Sequence, residues 1–153
     1  MRGITIIAIG SKHDSDLRSA IERYETRLRL LGGVRWLLLP SIASDTEAVR
    51  QAESTSIRRK LLDNDVIVLL DERGTQLDSK AFADKLSQWR ELPGRLVFVI
   101  GGAYGVDDEL RDRVHFVWSL SPLVFPHQLV RLLLVEQIYR GEMIRSGHPY
   151  HHI

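Results

Sequence analysis

Cysteine is absent from the chain, which excludes disulfides and any zinc centre built on thiolates. The absence fits a reducing compartment, and the cytoplasm is the expected location. A surplus of charge of one sign is lacking too: 21 Lys and Arg stand against 20 Asp and Glu, for a formal net charge of +1. A polyanionic partner must therefore be met by local basic patches, because the molecule as a whole offers no strong attractive field. No apolar stretch approaches the roughly 20 residues a membrane-spanning helix needs. The apolar opening Ile4–Ile9 is too short for a signal-peptide core and has no cleavage-like sequel. Low-complexity linkers and internal repeats are missing as well. What remains is an ordinary composition over 153 residues, 44% hydrophobic and 27% charged. That predicts a single domain over residues 1–153 with a real core, and neither a membrane nor a metal is expected as a partner.

Strand-like and helix-like segments alternate along the chain. Ile4–Ile9 is continuous and β-branched, as a strand buried on both faces is. Leu17, Ile21, Tyr24, Leu28 and Leu31 then recur at helical spacing, with Asp14 or Ser15 as the cap and Gly32-Gly33 as the stop. Val34–Leu39 is the second strand, closed by Pro40. A largely polar helix spans Thr46–Leu62, capped by Ser44 or Asp45, with Arg58, Arg59 and Lys60 near its end, where cations suit the helix dipole. Val66–Asp71 is the third strand and Asp71–Gly74 the loop after it. Ser79–Trp89 carries Phe82, Leu86 and Trp89 on one stripe. Leu96–Ile100 is the fourth strand, Asp107–Arg113 a short helix, and His115–Trp118 the fifth strand. His127–Arg145 is the last helix, with Pro126 at or near its first turn. This alternation predicts an α/β fold with a mainly parallel sheet flanked by helices. Ligands of such sheets bind outside the carboxyl ends of the strands. Three loops qualify: Asp71–Gly74, Gly101–Gly105 and Ser119–Pro126.

Gly101-Gly102-Ala103-Tyr104-Gly105 joins a strand to a helix, and glycines there let the backbone approach a ligand closely. The spacing is not the dinucleotide fingerprint, and no Gly-Lys-Ser/Thr follows to make a phosphate loop. A tight turn with helix capping explains it equally well. Ser119–Pro126 is short and holds Pro122 and Pro126, yet is rich in apolar side chains at Leu120, Leu123, Val124 and Phe125. Exposed loops are usually polar, so this one either wraps an apolar ligand or packs under the last helix. A flat heterocycle such as adenine, bonded edge-on, would satisfy its backbone groups. The last helix is apolar nearly all round, interrupted by Arg131, Glu136, Gln137, Arg140 and Glu142. That suits one face on the sheet and another on a second subunit, or a central helix in a monomer. The tail from Gly147 concentrates three of the six histidines, His148, His151 and His152. No nearby carboxylate or cysteine completes a metal site, whereas His titrates near neutrality and Tyr150 can stack on a base.

Leu70-Asp71-Glu72-Arg73-Gly74, Ile100-Gly101-Gly102-Ala103-Tyr104-Gly105, Trp118-Ser119-Leu120-Ser121, Phe125-Pro126-His127-Gln128-Leu129-Val130-Arg131, Glu136-Gln137-Ile138-Tyr139-Arg140 and His148-Pro149-Tyr150-His151 together resemble one family. It is the RlmH family of small SPOUT-class methyltransferases acting on pseudouridine in 23S rRNA. The likeness spans the whole chain, including its length and the opening Ala8-Ile9-Gly10-Ser11-Lys12. Each motif alone is weak; their combination in this order is specific. The resemblance implies S-adenosyl-L-methionine as cofactor, a C-terminal trefoil knot, and a homodimer that meets 23S rRNA in the ribosome. General topology rules would not have predicted a knot. By resemblance, Leu70, Asp71, Gly101, Gly102, Gly105, Leu120, Ser121, Pro122, Leu123, Val124, Phe125 and Pro126 hold the cofactor, and the helix after Pro126 is the dimer element. The chain departs from the family at its end. Lys or Arg commonly follows the second histidine of the tail; here His152 and Ile153 follow His151, so a phosphate contact there is expected to be weaker or pH-dependent.

The reaction implied by the resemblance is transfer of a sulfonium methyl to N3 of pseudouridine 1915. In-line positioning does much of that work, and the proton on the nitrogen must leave. Arg140 is expected to steady negative charge on the base or a phosphate, or else to form an ion pair with Glu136 or Glu142. Tyr150 is expected to stack on or orient the base, and His151 to take the proton or contact the backbone. Basic patches for RNA are sought at Arg18, Arg23, Arg27 and Arg29 on the first helix and at Arg131, Arg140 and Arg145. With no separate RNA-binding domain, a folded ribosomal particle suits the chain better than a naked oligonucleotide. Two alternatives remain: a SPOUT enzyme of tRNA, and a non-catalytic RNA-binding dimer. A dehydrogenase is disfavoured, because Gly10-Ser11-Lys12 lacks the glycine fingerprint in the first βα turn.

Overall fold

Five strands make one sheet: β1 (Ile4–Ile9), β2 (Val34–Leu39), β3 (Val66–Gln76), β4 (Leu96–Ile100) and β5 (Phe116–Ser119). Their order is β2-β1-β4-β3-β5, and every neighbouring pair is parallel. This is a computed structural model, and it describes residues 1–152. Ile153, the last residue of the atypical chain end, lies outside the described residues. The crossovers are the helices α1 (Ser15–Leu28), α2 (Thr46–Arg58), α3 (Ser79–Glu91) and α4 (Asp108–Arg113), and α5 (His127–Arg145) closes the chain.

The pleat divides the core into two layers, because successive residues of a strand point to opposite faces. Ile4, Ile6 and Ala8 of β1 pack with Phe98 of β4, Phe82, Leu86 and Trp89 of α3, and Leu134 and Ile138 of α5. Ile7 and Ile9 face the other way, onto Val97 and Val99, Ile57 of α2 and Leu110 of α4. A strand buried on both faces has no polar alternation, which is why the apolar runs mark the strands so clearly. On the α3 side, Phe82 stacks on Trp118 with ring centroids 4.2 Å apart.

The expected boundaries of β1, β2, β4 and α5 coincide with those observed. α1 ends at Leu28 and tightens into a 3-10 turn at Arg29–Leu31, where Gly32 takes φ 96° to stop it. α2 stops at Arg58 instead of Leu62, since Asp65 accepts from the Leu62 N–H at 2.7 Å and pulls the chain into a turn. The largest difference is at β3. The segment Asp71–Gly74, expected as a loop, belongs to a strand that continues to Gln76. Pairing with β5 slips between Leu70 and Thr75, so Trp118 lies opposite both. The intervening polar residues bulge from the ladder, which explains their loop-like composition.

Register sets the site. Ala8, Ile100 and Leu70 are aligned across β1, β4 and β3, so the turns that follow these strands share one rim.

Candidate active site

At that rim lies a cavity of about 590 Å³, lined by the ends of β3 and β4, the glycine loop, and the loop before α5. Gly101, Gly102 and Gly105 line it together with Leu70 and Asp71, and Leu120, Ser121, Leu123, Val124 and Phe125 line the side nearest α5. Two residues assigned to the same set are outside the lining: Pro122 is exposed, and Pro126 stands at the N-cap position of α5. The α5-side loop is held from within. Ser119 Oγ donates to the Ser121 carbonyl at 2.9 Å, and Ser121 Oγ accepts from Leu123 N at 3.1 Å. Leu123 and Val124 nevertheless stand 68% and 78% exposed, large apolar surfaces at the edge of the cavity.

The glycine loop is braced from α2, by residues that the linear pattern did not assign to a site. Arg50, Glu53, Ser54 and Arg58 fall at successive turns of one helical face. Arg50 Nε donates to the Tyr104 carbonyl at 3.0 Å. Ser54 Oγ accepts from Asp107 N at 2.8 Å, and Arg58 Nη1 meets both Asp107 carboxylate oxygens at 2.8 and 2.9 Å. Asp107 in turn caps α4 by accepting from Leu110 N at 2.9 Å. Glu53 is 3% exposed and accepts from Ile42 N at 3.2 Å. Its burial pushes the carboxyl pKa up, opposed by that backbone bond. The only sequence clue to this brace was the polar character of the α2 face, which reads equally as a solvated one.

Asp71 is already occupied by cations. Its Oδ1 accepts from Arg73 N at 2.8 Å and Nε at 3.2 Å, and its Oδ2 from Arg73 Nη2 at 3.1 Å and from Arg111 Nη2. Burial alone would raise this carboxyl; the hydrogen bonds from Arg73 and Arg111 overcome it and hold the pKa below the usual value. Asp71 therefore presents to the cavity within a cluster in which two guanidiniums meet its one carboxylate.

Arg131 corrects an expectation. Sought as an RNA contact, it is fully buried, reaching from α5 to the turn after β1. Nη1 donates to the Lys12 carbonyl at 2.9 Å and to His13 Nδ1 at 3.1 Å; Nη2 donates to the carbonyls of Ile9 and Gly10 at 2.9 and 3.0 Å. Gln128 ties the same turn, donating to the Lys12 carbonyl and accepting from Asp14 N at 2.9 Å. Among the described residues no carboxylate pairs with Arg131, and burial lowers its pKa, opposed by Asp14. Burial and then the neighbouring Arg131 charge lower His13 and His127 in turn. The four arginines expected on α1 are all exposed.

Arg140, Tyr150 and His151 converge, but away from the cavity. Arg140 Nε and Nη2 donate to Glu136 Oε1 at 2.9 and 2.6 Å, and the guanidinium lies over the Tyr150 ring, 4.9 Å from its centroid. The ion pair with Glu136 raises the Arg140 pKa. Glu142 plays no part, being held by Arg90 at 2.7 Å and Arg145 at 2.8 Å. Arg140 Nη1 is 3.0 Å from His151 Nδ1. Since arginine only donates, His151 Nδ1 is the acceptor and the ring proton sits on Nε2. Tyr150 Oη donates to Glu136 Oε1 at 3.3 Å. Arg140 is thirteen residues beyond His127 on α5, about 20 Å at 1.5 Å per residue, and none of the three lines the cavity. The cavity and the Arg140 cluster thus stand at opposite ends of one helix.

Among the described residues, no group of three or more His, Cys, Asp or Glu could hold a metal ion, and no helix is long and apolar enough to cross a membrane.

Comparison with known proteins bears on what occupies this geometry. A family model described as "Predicted SPOUT methyltransferase" matches residues 1–151. The ribosomal RNA large subunit methyltransferase H of Rhodopseudomonas palustris (strain BisB5) is 41% identical over 157 aligned positions, covering 97% of this chain and 98% of the relative. The proteins of the same name from Allorhizobium ampelinum and Agrobacterium fabrum are 38% and 39% identical, over 97% and 98% of this chain and 98% and 99% of theirs.

Proposed function

The chain belongs to the SPOUT methyltransferase family, and on that premise we propose that it methylates 23S rRNA of the large ribosomal subunit, at N3 of a pseudouridine, with S-adenosyl-L-methionine as donor. The cavity at the sheet rim carries the reading. Its volume of about 590 Å³ falls within the range of small-molecule sites, and its lining combines apolar side chains with close backbone, as such sites do. Gly101, Gly102 and Gly105 bring main chain to the cavity wall, Leu120, Leu123, Val124 and Phe125 offer an apolar side, and Glu47, Glu72 and Asp108 in the lining suit a cationic donor. The bound cofactor supplies an electrophilic methyl group. The knotted passage of the loop before α5 belongs to the same reading.

The half-site at the far end of α5 receives the base. Arg140 brings positive charge, and Tyr150 an aromatic face on which a base stacks. As arranged, His151 donates through Nε2, which suits a phosphate or base oxygen; its Nδ1 lone pair is taken by Arg140 and is not free to accept the N3 proton. A homodimer joins the two half-sites. Leu123 and Val124 stand exposed beside the cavity, and Leu129, Leu132, Leu133 and Met143 are half-exposed along α5. Pairing through this apolar face brings the tail of a second copy to each cavity. The ribosomal substrate places the enzyme in the cytoplasm.

Calorimetry with S-adenosyl-L-methionine and methyl transfer to large subunits from a strain lacking this gene test the reading. The expected outcome is saturable binding and one methyl gained on a pseudouridine by mass spectrometry. Methylation of tRNA alone would favour the tRNA enzyme; RNA binding without cofactor binding would favour a non-catalytic dimer. Sedimentation at micromolar concentration checks the dimer.

A further inference from the structure

The tail is held by α1 as well as by α5. Chain termini of this length are poorly ordered unless something ties them down. Among the described residues, main-chain bonds secure this one at its start, where Gly147 N and His148 N donate to the carbonyls of Ile144 and Met143 at 3.2 and 2.9 Å. Beyond that point the contacts are made by side chains. Tyr24 Oη of α1 lies 3.4 Å from Tyr150 Oη. The Tyr150 ring meets the Tyr139 ring edge-on with centroids 4.8 Å apart, and Tyr139 lies 6.1 Å from Tyr24. The Arg27 guanidinium is 5.5 Å from the Tyr24 ring and 5.4 Å from the Tyr139 ring, within cation–π range of both. Three tyrosines and one arginine therefore join α1, α5 and the tail.

We infer that Tyr24 and Arg27 are positioning residues for the methyl-transfer reaction, forming on α1 the seat that holds Tyr150, with Tyr139, in the orientation from which the tail meets the target base. The inference rests on the proposed function, in that it takes the tail to face RNA. Its physical basis is independent of that. A tyrosine whose hydroxyl is shared between Glu136 and Tyr24, and whose ring is flanked by Tyr139 and Arg140, has few orientations left. Neither α1 residue lines the cavity, so neither is expected to touch the cofactor. Tyr24 is half-buried and Arg27 exposed, and the chemistry at position 27 is a charge placed over rings, which a neutral side chain of similar length does not reproduce.

The test pairs kinetics with a titration. Tyr24→Ala and Arg27→Gln are expected to lower kcat on large subunits about tenfold or more, the scale of a small misplacement near the reacting atoms. Cofactor affinity and thermal midpoint stay near wild type in Arg27→Gln. Tyr24→Phe, which keeps the ring, recovers most of the kcat lost in Tyr24→Ala. Independently of RNA, the Tyr150 phenol is pushed up to about 12 by burial, the Tyr24 hydrogen bond and the Glu136 charge. The groups facing it are Tyr24 from α1 and Glu136, Tyr139 and Arg140 from α5; in the tail, His148 Nδ1 accepts from the Tyr150 N–H and His151 Nδ1 meets Arg140. Tyr24→Phe should move this titration, followed by NMR of ring-labelled tyrosine. An unmoved Tyr150 titration in Tyr24→Phe, or wild-type kcat in both Tyr24→Ala and Arg27→Gln, overturns the seat. If the wild-type protein methylates no RNA, the proposed function falls and the titration alone decides the seat.

Discussion

The carboxylate of Glu53 occupies the space that a Cβ on Gly102 would need. The glycine loop is thus packed from below by α2, and the residue at 102 is dictated by a side chain forty-nine positions earlier.

Gly102→Ala forces Glu53 or the loop to shift, an overpacking worth ~1–3 kcal/mol. Affinity for S-adenosyl-L-methionine is expected to fall about tenfold, with a thermal midpoint lower by a few degrees. Adding Glu53→Ala frees the space and recovers part of the affinity. Calorimetry on the single and double variants checks this, and a Gly102→Ala protein that binds like wild type would refute it.

Arg131→Met keeps length and apolar contact but strands the carbonyls of Ile9 and Gly10 that the guanidinium now serves, and leaves that of Lys12 to Gln128 alone. Unpaired buried acceptors cost about 1–3 kcal/mol each where water cannot reach them. We expect a loss of about 3 kcal/mol or more in urea unfolding, with little recovery in Arg131→Lys, whose ammonium lacks the fork. A loss confined to RNA binding, with stability intact, would return Arg131 to the RNA surface.

Acid should weaken the fold through His13 and His127. Burial and the Arg131 charge hold both below the ordinary histidine value. Below about pH 6.5 the unfolded chain therefore binds more protons than the native one, so this contribution is present above that pH and lost as pH falls towards the lowered native values. Glu53 and Glu25, raised by burial, act with opposite sign. The informative comparison is thus between wild type and the His13→Gln/His127→Gln double variant. Urea midpoints at about pH 5.5 and 7.5 should differ more in wild type; equal slopes would remove the histidines from the account.

Arg140→Lys retains charge but cannot make the two-pronged contact with Glu136 while reaching His151. Turnover on large subunits is expected to drop about a hundredfold, with cofactor affinity unchanged, because the cavity lining does not include Arg140. Tyr150→Phe should behave alike but more mildly. A parallel loss of cofactor affinity would place the tail in the cofactor site, against the two-half-site arrangement.

Most of the secondary structure was legible along the chain. Val66–Leu69 and Leu96–Ile100 are apolar without alternation because helices cover both faces of the sheet, and a buried parallel strand has no polar side to show. Gly101-Gly102 and the apolar loop before Pro126 left a ligand open beside a tight turn or packing under α5, because composition does not say what a loop meets. The brace on α2 was hidden: Arg50, Glu53, Ser54 and Arg58 read as a solvated face, since helical spacing records which residues share a side and not what that side meets.

The sequence by itself determined the alternation of strands and helices, the parallel sheet, and the loops at its rim, because backbone propensity and apolar periodicity act over a few residues. Only the tertiary structure decided the fate of the charges. Arg131 and Arg140 stand nine positions apart on one helix and are alike in sequence. The first is sealed against the end of β1; the second gathers Glu136, Tyr150 and His151 at the surface. The strand order set that difference by bringing Gly10 under one end of α5 and α1 beside the other, and no local pattern carries such a contact.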